Sequence, residues 1–139
     1  MEVEAIRHLR PMNAPQISTR VLEFLADKID TVPELEALLL MWQAPGRFWS
    51  AEDVAARTYV SVEHSRTMLQ NLQRRHLVVA EHDSSLYRYD GAWDASGSLM
   101  PEVELEYRRR LIPIATFIHS RASFSVREFA RAFHLKKER

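Results

Sequence analysis

The sequence predicts a mainly α-helical protein carrying one small β-hairpin, and three observations predict it. Apolar residues recur at helical spacing through most of the 139 residues. Helix-opening signatures, Ser or Thr followed three residues later by Glu or Asp, stand at Thr31, Ser50 and Ser125. Two short runs of strand type, Leu77–Ala80 and Leu86–Tyr89, flank the turn-forming stretch Glu81-His-Asp-Ser-Ser85.

Taken in order, residues 1–17 hold Pro11 and Pro15 among few periodic apolar positions and read as a flexible arm. Residues 18–30 read as an N-terminal helix with Val21, Leu22, Leu25 and Ile29 on one stripe and Ser18 or Thr19 as its cap. Thr31-Val-Pro-Glu34 is a capping box in which the Glu34 carboxylate is expected to answer the Thr31 backbone. The helix it opens places Leu35, Leu38, Leu39 and Trp42 inward, with Leu40 and Met41 widening its apolar face. It ends at Ala44-Pro45-Gly46 and is followed by a strand-like Arg47-Phe48-Trp49. Ser50 opens a short helix with Ala51, Val54, Ala55 and Tyr59 expected inward. Ser61 caps the next, whose inward ladder is Val62, Ser65, Met68, Leu69 and Leu72. Residues 91–139 then give a loop, a long helix from Pro101 to about Ser120 that Pro113 should kink, and a short basic amphipathic helix from Ser125. The long helix carries the stripe Val103, Tyr107, Leu111, Ile114 and Ile118.

Composition narrows the function classes. The chain is 46% hydrophobic, enough for a core, so intrinsic disorder is not expected. It has no cysteine, which excludes disulfides and thiolate chemistry. Its three glycines supply no phosphate-cradling loop, and no Gly-x-Ser-x-Gly elbow is present. The histidines at 8, 64, 76, 82, 119 and 134 are scattered, with none paired at the spacing that shares a metal. Glu102, Glu104 and Glu106 near the start of the long helix offset its N-terminal dipole and need no catalytic role. The expectation is a non-enzyme without cofactor or metal. With no apolar run approaching the ~20 residues of a membrane span and no secretory leader, a soluble cytoplasmic protein is expected. Net charge is zero, with the acidic excess in residues 1–60 and the basic excess in residues 101–139, which argues neither for nor against nucleic acid.

The order helix, short strand, helix, tight turn, helix, hairpin over residues 31–90 resembles a winged helix-turn-helix domain. The resemblance is strongest from Ser50 to Ala80, SAEDVAARTYVSVEHSRTMLQNLQRRHLVVA. Ser50, Glu52, Val54 and Ala55 match the opening of the family's supporting helix, and Leu69, Leu72, Leu77 and Val78 match the close of its recognition helix. His76 departs from the pattern by standing where the family usually has Gly, at a place that often takes a left-handed backbone. The helices on either side are similar to those of MarR-type transcriptional regulators, whose terminal helices form a dimer interface. That resemblance implies a homodimer joined through Val103, Tyr107, Leu111, Ile114 and Ile118. A ligand pocket between these helices and the wing domain, lined by Trp42, Trp49 and Trp93, would also follow it.

On this reading the recognition helix spans about 61–75 and lies in the major groove of double-stranded DNA. Its outward set is Ser61, Glu63, His64, Arg66, Thr67, Gln70, Asn71 and Arg74, with Arg88 added from the hairpin. Gln70 and Asn71 suit adenine, and Arg66 and Arg74 suit guanine or phosphate. Glu81 and Asp83 at the hairpin tip, and Glu63 at the approaching end of the helix, oppose phosphate. The alternative is a non-enzymatic adaptor holding a protein partner through the same fold, with Tyr87, Tyr89 and Trp93 as aromatic anchors and the basic terminal helix as a second contact.

Overall fold

A computed structural model describes residues 17–81 and 85–120. The arm over residues 1–16, the hairpin tip at 82–84 and the basic terminal helix lie outside the described residues. Five helices and two strands follow in order: α1 (Thr19–Lys28), α2 (Val32–Trp42), α3 (Ala51–Thr58), α4 (Val62–Arg74), β1 (Val78–Ala80), β2 (Tyr87–Tyr89) and, after a 3-10 turn at Gly91–Asp94, α5 (Leu99–Arg109). Residues 111–120 are again helical and are termed α6.

Local chemistry explains the starts. Ser18, Thr31, Ser50 and Ser61 each accept a backbone N–H from the residue three positions on, satisfying donors a helix cannot bond itself. At Ser50 the exchange is reciprocal, because Asp53 accepts the Ser50 N–H at 3.3 Å. At Thr31 it is shifted by one residue: Glu34 accepts the N–H of Asp30 at 2.9 Å rather than that of Thr31. No side chain of Ser98 caps α5. The Asp94 carboxylate does so from the preceding turn, accepting the N–H groups of Leu99 and Met100, each at 3.1 Å.

The core is one continuous cluster. Leu35, Leu38 and Met41 of α2 meet Val54 of α3, Met68, Leu69 and Leu72 of α4, Leu77, Val78, and Val21 and Leu25 of α1. The sheet is antiparallel, with Val78 opposite Tyr89 and Ala80 opposite Tyr87. Trp49 adds a single bridge to Tyr87, the two residues exchanging backbone bonds of 2.7 and 2.8 Å. Helices α2, α3 and α4 with this hairpin make a winged helix-turn-helix, to which α1, α5 and α6 are added. No helix among the described residues is long and apolar enough to cross a membrane.

Among the described residues, two backbone sites are left-handed and are not glycine. His76 closes α4 at φ 65°, donating its N–H to Gln73, which is the conformation expected where the resembled family places Gly. Tyr59 closes α3 at φ 60° and is 93% exposed, correcting the expectation that it faces inward. The turn reverses the chain there, so the inward positions pass to Thr58 and Val60.

The long C-terminal helix also differs from expectation. It starts at Leu99 and is broken, not bent, at Arg110 (φ −130°, ψ 51°). The Pro113 ring excludes a continuous helix past the carbonyl of Arg109, whereas as the third residue of a new helix it forfeits no bond. The break swings Ile114 and Ile118 into the core.

Candidate nucleic-acid interface

Helix α4 is the element that positions most of the candidate residues. Its inner side is Ser65, Met68, Leu69 and Leu72, all buried. The Ser65 hydroxyl donates to the Ala51 carbonyl at 2.8 Å, a bond that requires α3 and α4 to cross closely. The opposite side carries Glu63, His64, Arg66, Thr67, Gln70 and Arg74, all exposed, with exposed Ser61 at its cap. Among the described residues, no segment covers this face.

The outward residues are not equally free. Ser61 holds the His64 N–H at 3.0 Å, and the Thr67 hydroxyl donates to the Glu63 carbonyl at 3.2 Å. Arg66 lies 4.0 Å from Glu52 at the start of α3, a loose surface pair. Asn71 departs from the outward expectation. It is half-buried, and its amide donates to the Glu34 carboxylate at 3.1 Å while its carbonyl accepts from Arg74. Arg88 is exposed on β2, 5.9 Å from the Phe48 ring. Gln70 in the middle of the face, His64 near its start and Arg74 at its end, the last bonded to Asn71, are all exposed polar groups. Acidic Glu52 and Glu63 are exposed beside them, and Glu81 is exposed at the end of β1.

Sequence reasoning missed Arg75. Its guanidinium donates to the Lys28 carbonyl at 2.7 Å, to Asp30 at 2.7 Å and to Glu34 at 3.4 Å. Glu34 is 1% exposed and sits beneath it. A capping glutamate is ordinarily solvated, so its sequence context gave no signal of burial. The glutamates of α5 likewise do more than offset a dipole. Glu106, buried, accepts the Ser18 N–H at 3.0 Å at the start of α1, and Glu102 pairs with Arg20 at 3.3 Å.

The stripe assigned to a dimer interface is divided. Val103, Ile114 and Ile118 are buried in the chain's own core, Tyr107 is half-buried and Leu111 is 48% exposed. Leu105 and Ile112 are the other large apolar side chains exposed on α5 and α6. Of the aromatic anchors Tyr89 is buried and Tyr87 and Trp93 are half-buried: Trp93 stacks on Phe24 of α1 at 5.1 Å and meets Tyr89 edge-on. Burial and the nearby Asp94 charge push the Tyr89 hydroxyl up to about 12.

A cleft of about 410 Å³ lies between α2, the α3–α4 turn and α5, lined by Leu39, Leu40, Arg57, Tyr59 and Tyr107. None of the three tryptophans lines it. Trp49 is buried beneath the Arg47 guanidinium, 3.7 Å from its ring centre. Within the cleft Tyr107 donates to Glu36 at 2.7 Å, and burial followed by this bond raises its hydroxyl well above the ordinary tyrosine range.

No family model matches the chain, and no curated protein matches it. Among solved structures it is similar to a MarR family protein from Bacillus stearothermophilus, at 16% identity over 99% of this chain and 96% of that one, with a TM-score of 0.44.

Proposed function

We propose that the chain is a non-enzymatic, DNA-binding transcriptional regulator acting in the cytoplasm, which reads the major groove of double-stranded DNA with α4. One observation carries the reading: α4 sinks one side completely and leaves the other exposed from Ser61 to Arg74. A bare helix of ~10–12 Å diameter is the shape a major groove accepts. Gln70 is placed to read adenine, Arg66 and Arg74 to meet guanine or phosphate, with His64, Thr67, Ser61 and Glu63 at the entering end and Arg88 from the hairpin. Asn71 acts from behind this surface. A homodimer would set two copies of α4 in successive grooves. Leu105, Tyr107, Leu111 and Ile112 are the surface that α5 and α6 leave for a second copy.

The test is a double substitution, Gln70→Ala with Arg74→Ala, in a gel-shift assay against a duplex that the native protein selects from a random pool. The specific shift should vanish while the helical circular-dichroism spectrum stays unchanged. An undiminished shift would place the DNA surface elsewhere. A second reading, a protein-binding adaptor, is favoured by exposed Glu52 and Glu63 beside the same face and exposed Glu81 at the end of β1. It predicts negligible affinity for random duplex even at low salt.

A further inference from the structure

We infer that Glu34, Asn71 and Arg75 are positioning residues that lock the rotation of α4 to the end of α1, making α1 a strut between α5 and the reading helix. The inference rests on the DNA-binding reading for its functional meaning.

The apolar seam under α4 does not by itself fix how the helix is rotated. Contacts among Met68, Leu69 and Leu72 are non-directional, so they specify the rotation less sharply than hydrogen bonds do. Directional bonds remove the remaining freedom. Ser65 ties one side of α4 to the Ala51 carbonyl. Asn71 and Arg75, roughly two and three turns further along, tie the rest to a single buried carboxylate and its surroundings. Both Glu34 oxygens are engaged: Oε1 accepts from the Asp30 N–H at 2.9 Å and from Arg75 at 3.4 Å, and Oε2 accepts from Asn71 at 3.1 Å. The planar guanidinium of Arg75 spans three acceptors, the Lys28 carbonyl, Asp30 and Glu34, which only one orientation of the end of α4 satisfies. Lys28 answers from the other side, its ammonium donating to the Arg75 carbonyl at 3.5 Å.

The opposite end of α1 is secured in the same manner to α5. Glu106 takes the Ser18 N–H at 3.0 Å, and Arg20 pairs with Glu102 at 3.3 Å and donates to Ser98 at 3.2 Å. Polar bonds thus run from α5 through α1 to α4. A shift of α5, the helix that carries exposed Leu105, is transmitted to the angle at which Gln70 and Arg74 meet a duplex.

Two full-length variants test this. Arg75→Lys keeps the charge and removes the fork. Asn71→Ala removes one bond from a half-buried side chain and carries the test should Arg75→Lys fail to fold. Amide hydrogen exchange should quicken about tenfold at both the 28–34 segment and the last turns of α4, as coupled sites do. Faster exchange in α4 alone, or in neither, overturns the proposal. The second measurement compares a duplex selected by the native protein with a random duplex of equal length. The affinity ratio should fall about tenfold with the random-duplex affinity unchanged, since phosphate contacts tolerate a rotation that base contacts do not. A parallel fall in both affinities, or no change, indicates a merely structural cluster and overturns the positioning role. If the native protein selects no duplex, the DNA-binding reading fails while the exchange measurement still decides the latch.

Discussion

Helix α4 and the α5–α6 stripe are two of the amphipathic stretches the sequence marked for contact with a partner, and the structure treats them oppositely. In α4 the apolar side is buried and the polar side stays bare. In α5–α6 the apolar stripe itself was expected to meet a second copy, yet Val103, Ile114 and Ile118 enter the chain's own core. The difference teaches what an amphipathic pattern encodes. It shows that one side will leave water, because burial of ~25 cal/mol per Å² of apolar area rewards that, but the reward is the same whichever surface supplies the cover. The polar side of a helix can be read more safely, since nothing drives it inward unless a buried partner waits, as Glu34 does for Asn71.

The comparison can be broken or sharpened by experiment. The largest effect is expected where a polar group has crossed to the buried side. Glu34→Ala should lower the free energy of unfolding by roughly 4 kcal/mol, because it removes at one buried site the acceptor of the Asn71 amide, of the Asp30 N–H and of one arm of Arg75. Chemical denaturation measures this, and a loss below ~1 kcal/mol would show that Glu34 is not the centre of the cluster. Next, Ile118→Ala should cost about 3 kcal/mol at every protein concentration, as a core truncation does. Leu111→Ala should stay within ~0.5 kcal/mol and change only the mass seen by light scattering. A cost of Ile118→Ala that changes with protein concentration would return Ile118 to an interface.

Alkaline pH should act on the same buried–exposed division. A tyrosine whose hydroxyl is raised in the folded state stabilises it fully below its ordinary value of 10.0, and that contribution is lost as pH climbs toward the folded value. For Tyr89 the window runs from 10.0 to about 12, and Tyr107 shifts in the same direction. Denaturation midpoints should be insensitive to these groups below 10.0 and fall above it, with a shallower fall in Tyr107→Phe. The smallest effect is a gain. Tyr59→Gly should raise stability by about 1 kcal/mol, relieving the left-handed backbone of an exposed side chain. A loss of stability instead would mean that the Tyr59 ring packs on the cleft beside it.

Much of the fold was legible in residues alone. Ser18, Thr31, Ser50 and Ser61 opened helices where their hydroxyls could reach a backbone N–H three positions on, because capping is a local interaction. The inner ladder Ser65, Met68, Leu69 and Leu72 followed from helical periodicity, and the two strands of the hairpin from the turn chemistry between them. The left-handed backbone at His76 was suggested by the resemblance, since the family usually has Gly at that place. Of the candidate interface, the outward face of α4 was readable, and Asn71 was not. Its neighbours along the chain match those of exposed Gln70, and only the arrival of Glu34, 37 residues away, distinguishes them.

The sequence by itself determined where helices begin and which side of each leaves water, for those outcomes depend on hydrogen bonds and side-chain spacing within a few residues. Tertiary structure alone decided what each buried side meets: Ile114 and Ile118 folded inward past a break at Arg110, Glu106 bound to the start of α1, and Arg75 gathering Lys28, Asp30 and Glu34. Those partners lie far apart along the chain. Which of them meet depends on how whole helices pack, a choice that local periodicity leaves open.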